Sequence, residues 1–186
     1  MKIFNLMKII MRKSNIEDLD NIYNLHNLCF TFNDRWYKNA ICQYIDDSIV
    51  IVTEDNEIIG VLLQGNFNPI LNDEELVVPN IDNKSDLVVP NIDKDFVVPN
   101  IDDEVFGIVM ICIHPDYRNK GLASKLINTH IKINNEKKLY LCTRITNTNA
   151  ILCYKKNGYE LIGNIKNKYY LPVEDACFMI YKKMKI

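Results

Sequence analysis

From Val105 to His114 the chain is strongly apolar for the length of a strand. It then passes through Pro115-Asp116-Tyr117-Arg118-Asn119-Lys120-Gly121 into an amphipathic stretch from about Leu122 to Asn134. The apolar positions of that last stretch recur at helical steps. Strand, glycine turn and helix in direct succession are the strongest constraint on what this chain can become. They call for a mixed α/β domain.

The flanking segments extend that reading. Ile9 to Arg12 reads as a first strand, and Ser14-Asn15-Ile16-Glu17 has the spacing of a capping box at a helix start. Ile16, Leu19, Ile22, Leu25 and Cys29 then fall near one face of a helix. A second helix is expected from Asp34 to about Ile45. Ser48 to Glu54 and Glu57 to Gln64 read as a β-hairpin turning at Asp55-Asn56. After the glycine turn and its helix come a strand over Lys138 to Thr143 and a short helix over Asn147 to Lys156, which ends at Asn157-Gly158. Strands over Tyr159 to Asn164 and about Ala176 to Lys182 complete the series. The order implies one domain over 1–186, with a largely antiparallel sheet, flanking helices and one parallel crossover. With 186 residues and 48% hydrophobic content the chain can bury a core of that size.

The net charge of -2 hides an uneven distribution. Residues 71–104 carry ten acidic and two basic side chains, a net of -8, which leaves +6 on the remainder. Within that stretch Leu76-Val-Val-Pro-Asn-Ile-Asp recurs from Leu87 and, with phenylalanine leading, from Phe96. The copies are too short and too often broken by Pro-Asn to form packed layers, so 71–104 reads as an inserted acidic repeat loop. An edge for docking a partner is the other reading of the repeated Val-Val. The overall charge gives no case for nucleic acid or a membrane as partner. Six scattered cysteines without a CxxC pair read as reduced, buried thiols in the cytoplasm, and no window reaches the length of a membrane span. Cysteines and histidines are not grouped at ligand spacing, so no metal is implied. His26 and His130 are expected at the surface or its boundary, and His114 as a structural part of its turn.

Arg118-Asn119-Lys120-Gly121-Leu122-Ala123 supplies a glycine and an alanine that admit phosphate to the backbone, at a helix start whose free amides favour negative charge. The segment resembles the Arg/Gln-x-x-Gly-x-Gly/Ala pyrophosphate pattern of the GNAT superfamily of N-acetyltransferases. Asn147-Thr148-Asn149-Ala150-Ile151-Leu152-Cys153-Tyr154 through Asn157-Gly158-Tyr159 resembles a second motif of that superfamily. The resemblance implies the GNAT fold with a splayed strand pair, and acetyl-CoA as cofactor. Arg118, Asn119, Lys120, Gly121, Leu122, Ala123, Ser124 and Asn147 would hold it, with backbone amides at Ile111, Cys112 and Ile113 orienting the thioester. Tyr154 would place its hydroxyl at the departing thiolate, where a phenol can donate a hydrogen bond or a proton.

The resemblance narrows further. Asn33-Asp34-Arg35-Trp36-Tyr37-Lys38 is similar to a stretch of NatE-type catalytic subunits of N-terminal protein acetyltransferases. Lys168-Tyr169-Tyr170 with Glu174-Asp175-Ala176 resembles the tyrosine-pair loop of NatA and NatE subunits. Outside the acidic segment the likeness runs from about residue 9 to 184. It implies direct acetyl transfer in a ternary complex to the N-terminus of a protein or peptide, with Phe30, Phe32, Val109, Tyr169 and Tyr170 at the acceptor and an auxiliary subunit as a possible partner.

Two departures stand out. Leu28-Cys29-Phe30-Thr31-Phe32 lacks the proline and tyrosine of the NatE-type Phe-Pro-Val-x-Tyr loop. The tyrosine and histidine that hold a deprotonating water in that family fall at Gly107 and Cys142. Cys142, Tyr169, Tyr170 or a water held by strand carbonyls remain as relays, with Cys142 assigned beside Tyr154 as catalytic. The alternatives are transfer to a lysine or small-molecule amine, and a module that binds acetyl-CoA without turnover.

Overall fold

The computed structural model describes residues 8–31, 35–67, 105–170 and 172–183. Among these residues seven strands form one sheet: β1 (Ile9–Lys13), β2 (Ile49–Thr53), β3 (Ile58–Phe67), β4 (Val105–Ile113), β5 (Tyr140–Arg144), β6 (Tyr159–Tyr170) and β7 (Val173–Tyr181). Their order is β1-β2-β3-β4-β5-β7-β6, and every pair is antiparallel except β4 with β5. The helices are α1 (Leu19–Cys29), α2 (Lys38–Cys42), α3 (Leu122–Ile133) and α4 (Thr148–Lys156). This is the expected mixed sheet with one parallel crossover, made by α3.

Alternation along β4, shifted by one residue between Ile108 and Met110 where the register with β3 skips, divides the core. Met110 and Cys112 face α1 and α2 with Ile22, Leu25 and Ile41, while Ile108 packs with Leu122, Leu126, Leu141 and Tyr154 on the side of α3 and α4. A smaller cluster of Val105, Ile165, Ala176 and Phe178 lies toward β6 and β7. At the other end of β4, Val105 is registered against Phe67 of β3, so the two ends of the acidic segment meet across a ladder. The segment itself lies outside the described residues.

Several expectations need correction. The capping box is displaced by one residue: the Asn15 side chain accepts from Glu17 N, and the Asp18 carboxylate accepts from Asn15 N at 2.9 Å. Ser14 instead donates to Ile45 O at 2.6 Å, and Ile16 is exposed in the 3-10 turn that precedes α1. The second helix begins at Lys38, not Asp34, a residue outside the described ones. Arg35 bonds Phe30 O and Asn27 O, and Trp36 N donates to His26 Nε2, so the approach to α2 is held against the end of α1. β6 runs on to Tyr170, and β7 starts at Val173. Only Cys112 and Cys177 are buried, whereas Cys29, Cys42, Cys142 and Cys153 are partly exposed.

His26 and His130 are both 0% exposed, against the surface placement expected for them. Each lies one helical step from core residues, Ile22 and Leu126 respectively, so the helix carries it inward. His130 Nδ1 donates to Gln64 Oε1 at 2.5 Å, and its ring stacks on Phe106. Burial pulls its pKa down to about 4, with the Lys137 charge adding to the shift. An unfolded histidine titrates near 6.5, so between about 6.5 and 4 the unfolded chain binds the extra proton. Stability is therefore fully present above that window and is lost as pH falls through it, by up to about 3 kcal/mol. Melting temperatures from pH 7.5 to 4.5 should drop steeply in the wild type and less in His130→Gln. A residual slope is expected because burial lowers the His26 pKa as well.

Candidate functional site

β4 and β5 pair only at Gly107–Tyr140 and Ile108–Leu141. Beyond that point β4 continues against β3 as far as Ile113, and β5 continues against β7 as far as Arg144. The facing edges of the two strands part company, and backbone groups from Val109 onward are left for a ligand to pair with. The parting coincides with a bulge. The partner of β3 skips from Met110 to Ile108 between Leu63 and Gln64, leaving Val109 as the extra residue. A bulge turns the strand and re-aims its groups, so Val109, expected at the acceptor, stands at the mouth of the opening.

At the end of β4 the chain makes a 3-10 turn over Pro115–Tyr117, capped by His114, whose Nδ1 accepts from Asp116 N. His114 is thus structural, as expected. Asn119 and Gly121 take positive φ values of 59° and 76°. Gly121 is the N-cap of α3, and a Cβ built there would meet nothing within 4 Å. Arg118, Asn119 and Lys120 are exposed on the same turn, with Arg118 Nε on Ile113 O at 3.2 Å and Lys120 Nζ on Asp116 O at 3.0 Å. The first amides of α3, at Leu122, Ala123 and Ser124, have no partner within the helix. Open space in front of a left-handed glycine, free amides and two cationic side chains fit a pyrophosphate.

Asn147 caps α4, its side chain accepting from Ala150 N at 3.3 Å. Asn157 at the other end of α4 donates to Ser124 Oγ at 3.0 Å, which fixes α4 against the start of α3. Between these anchors Tyr154 is buried and meets Tyr159 edge-on at 6.0 Å. Burial raises its phenol far above the ordinary value, and Cys112 of β4 and Tyr169 of β6 are among the groups that act on it electrostatically. Tyr154 therefore stays protonated and keeps its hydroxyl proton available for donation.

Two segments bracket the opening. On the β4 side, Cys29 at the end of α1 bonds Ile113 O at 3.3 Å, and Phe30 stacks on His26 at 4.8 Å. On the β5 side, the Arg144 guanidinium lies 4.2 Å from the Tyr169 ring centroid and bonds Glu174 at 3.1 Å, while Glu174 accepts from Thr146 N at 2.7 Å. Phe30 and Tyr169 thus stand on opposite flanks. Phe32 and the side chain of Tyr170 lie outside the described residues.

Cys142 is packed with the Val105 and Phe178 cluster, and burial pushes its thiol up to about 12. A thiol so held is protonated at neutral pH and accepts no proton. At Gly107 a Cβ would lie 1.7 Å from the Tyr140 carbonyl oxygen, so no side chain of any kind can work from that position. Arg144 and the anchoring pair His26 and Trp36 escaped sequence reading, because their partners are distant in the chain. Gly107 carried a usable signal: a lone glycine in an apolar strand marks close backbone approach.

The Acetyltransferase (GNAT) family pattern matches residues 19–159. An N-alpha-acetyltransferase of Saccharolobus solfataricus is 33% identical over 76 residues, 39% of this chain and 45% of the relative. The match thus spans less than half of that relative's length. The ribosomal-protein-S18-alanine N-acetyltransferase from Escherichia coli superposes with a TM-score of 0.66 at 16% identity, over 96% of this chain and 99% of the other. NAA60 of Arabidopsis thaliana in complex with acetyl-CoA gives 0.68 at 17% identity, over 95% and 100%. At such identities the likeness is one of fold.

Proposed function

The chain belongs to the GNAT acetyltransferase family, and on that premise we propose that it binds acetyl-CoA between β4 and β5 and acetylates the N-terminal α-amine of a protein or peptide. The observation that carries this reading is the parting of β4 from β5 beyond Ile108 and Leu141, with β4 leading on into a left-handed glycine turn. Bound there, acetyl-CoA supplies an acetyl thioester for the amine to attack. Arg118, Lys120 and the first amides of α3 neutralise the pyrophosphate, and the β4 edge from Val109 to Ile113 offers amides to the thioester arm and its carbonyl oxygen. Amides already fixed by the sheet stabilise a developing oxyanion without reorganising. Tyr154 hydrogen-bonds the departing sulfur. Phe30 and Tyr169 hold the acceptor from either flank.

The choice of an N-terminal amine rests on proton chemistry. With Gly107 bearing no side chain and Cys142 held protonated, neither motif-aligned position supplies a base. An α-amine of pKa about 8 is roughly 10% neutral at pH 7, whereas a lysine amine at about 10.4 is roughly 0.04% neutral. A site in which neither of these two positions supplies a base serves the first far better than the second. The name of the S. solfataricus relative supports the same acceptor.

Thiol release from acetyl-CoA with a panel of N-terminal peptides, the acetylated atom being located by mass spectrometry, tests the reading. Acetyl on the α-amine is expected. Acetyl on lysine or on a polyamine would replace the acceptor, and coenzyme A binding without release across the panel would sink the enzymatic reading. In the same assay Tyr154→Phe should lower kcat about 10- to 100-fold while leaving coenzyme A binding nearly unchanged.

The acidic segment we read as an insertion into this machinery, because its flanking residues Phe67 and Val105 are already strand partners. Joining them through a short Asn-Gly turn in place of 68–104 should leave coenzyme A affinity and melting temperature close to wild type. Loss of folding would show that the segment belongs to the core.

A further inference from the structure

Cys29 ends α1, and Cys112 lies in β4 next to Ile113. Cys29 packs against the buried cluster to which Cys112 belongs, on the face of the sheet covered by α1, and the two thiols are close enough to shift each other's titration. Cys29 also donates to Ile113 O at 3.3 Å, the same oxygen that accepts Arg118 Nε at 3.2 Å. A thiol and a guanidinium thus meet on one carbonyl, that of the residue next to Cys112, where α1, β4 and the glycine turn come together. Cys29 is partly exposed in front, and Cys112 is buried behind it. That is the order in which an attacking thiol and a resolving thiol are needed.

The electrostatics agree with this geometry. The neighbouring Cys112 thiol lowers the Cys29 thiol most and Arg118 adds to it, which brings it down to about 7 despite partial burial. Burial keeps Cys112 protonated. Thiolates, not thiols, attack peroxides, and an adjacent thiol decides whether the product is a disulfide. Nothing in acetyl transfer calls for such a pair.

We propose that Cys29 and Cys112 are an oxidisable dithiol, a modification site for hydroperoxides, which closes to a disulfide between α1 and β4. The Cys29 thiolate attacks the terminal oxygen of the hydroperoxide, the O–O bond breaks, and the leaving alkoxide takes up a proton to become an alcohol. Cys29 is then a sulfenic acid. The Cys112 sulfur, giving up its proton, attacks the Cys29 sulfur and expels hydroxide, which leaves with that proton as water. Two thiols have lost two electrons and two protons, and the hydroperoxide has become an alcohol and water. The new bond ties the root of the segment leading from Phe30 to Trp36 to the strand that borders the opening.

The test uses the full chain treated with hydrogen peroxide or cumene hydroperoxide, digested without reductant and mapped by mass spectrometry. A Cys29–Cys112 linked peptide, reversible by dithiothreitol, is expected. In Cys112→Ser, Cys29 should instead be trapped by dimedone as sulfenic acid. Alkylation of Cys29 in the unoxidised wild type should show a midpoint near pH 7, about 1.5 units below an ordinary thiol, and Arg118→Gln should move it upward. The proposal is overturned if Cys29 oxidises no faster than Cys42 or Cys153, if it pairs with any other cysteine, or if it alkylates with an ordinary thiol midpoint. Because the alkylation profile is read on the wild type, poor folding of a variant leaves the proposal open to refutation.

Discussion

Gly107→Ala should cost this protein 4 kcal/mol or more of stability, at the far end of what single substitutions do. The added Cβ would sit 1.7 Å from the Tyr140 carbonyl oxygen, 2.6 Å from its carbon and 2.8 Å from the Tyr140 nitrogen. All three are backbone atoms, so no rotamer change relieves the clash. Relief comes only by pushing β4 from β5, and Gly107–Tyr140 is one of just two registered pairs joining those strands. The two halves of the sheet would come apart where the opening begins. For a chain of this size about 4 kcal/mol corresponds to a fall in melting temperature of roughly 8–16 °C. Gly60→Ala is the control: its Cβ would meet the Ile113 Cδ1 at 3.0 Å, the movable end of a side chain, and should cost under about 1.5 kcal/mol. A Gly107→Ala melt within 2 °C or so of wild type would mean that the strands part more easily than their spacing implies.

Gly121→Asp should weaken coenzyme A binding about 100-fold while hardly disturbing the fold. The position has a φ of 76° and open space where a Cβ would point. Asn and Asp are the side chains that tolerate this left-handed conformation best, so the cost in stability should be about 1 kcal/mol. A carboxylate there would face the pyrophosphate, and juxtaposed like charges cost several kcal/mol. Gly121→Asn has nearly the same shape without the charge and should lose only a few-fold in affinity. Calorimetric titration with coenzyme A separates the outcomes. Equal losses in both variants would make the effect steric, and no loss in either would remove this turn from the cofactor site.

The glycine turn could be read from the sequence because it is a local device. Gly121 is required by its own backbone angle, the strand before it follows from an apolar run of strand length and the helix after it from a 3.6-residue periodicity, and none of these needs knowledge of the rest of the chain. The same holds for Asn147 as a helix cap and for Tyr154, which lies about two helical turns after that cap and is carried by α4 into the core. Where two local patterns competed, reading slipped. Ser14 and Asn15 are both good caps, and a distant acceptor, Ile45 O, claims the serine. His26 and His130 look like surface residues until packing shows that their helical positions lie on the buried faces of α1 and α3.

Sequence alone determined the order of strands and helices, the glycine turn and the motif that marks Tyr154, because each depends on residues within a few positions of one another. Tertiary structure alone decided that Gly107 lies against the backbone of Tyr140, that Arg144 holds Tyr169, and that Cys29 meets Cys112. Those encounters join segments far apart in the chain. Their distances are set by how strands align across the sheet and how α1 packs on it, and no local pattern encodes either.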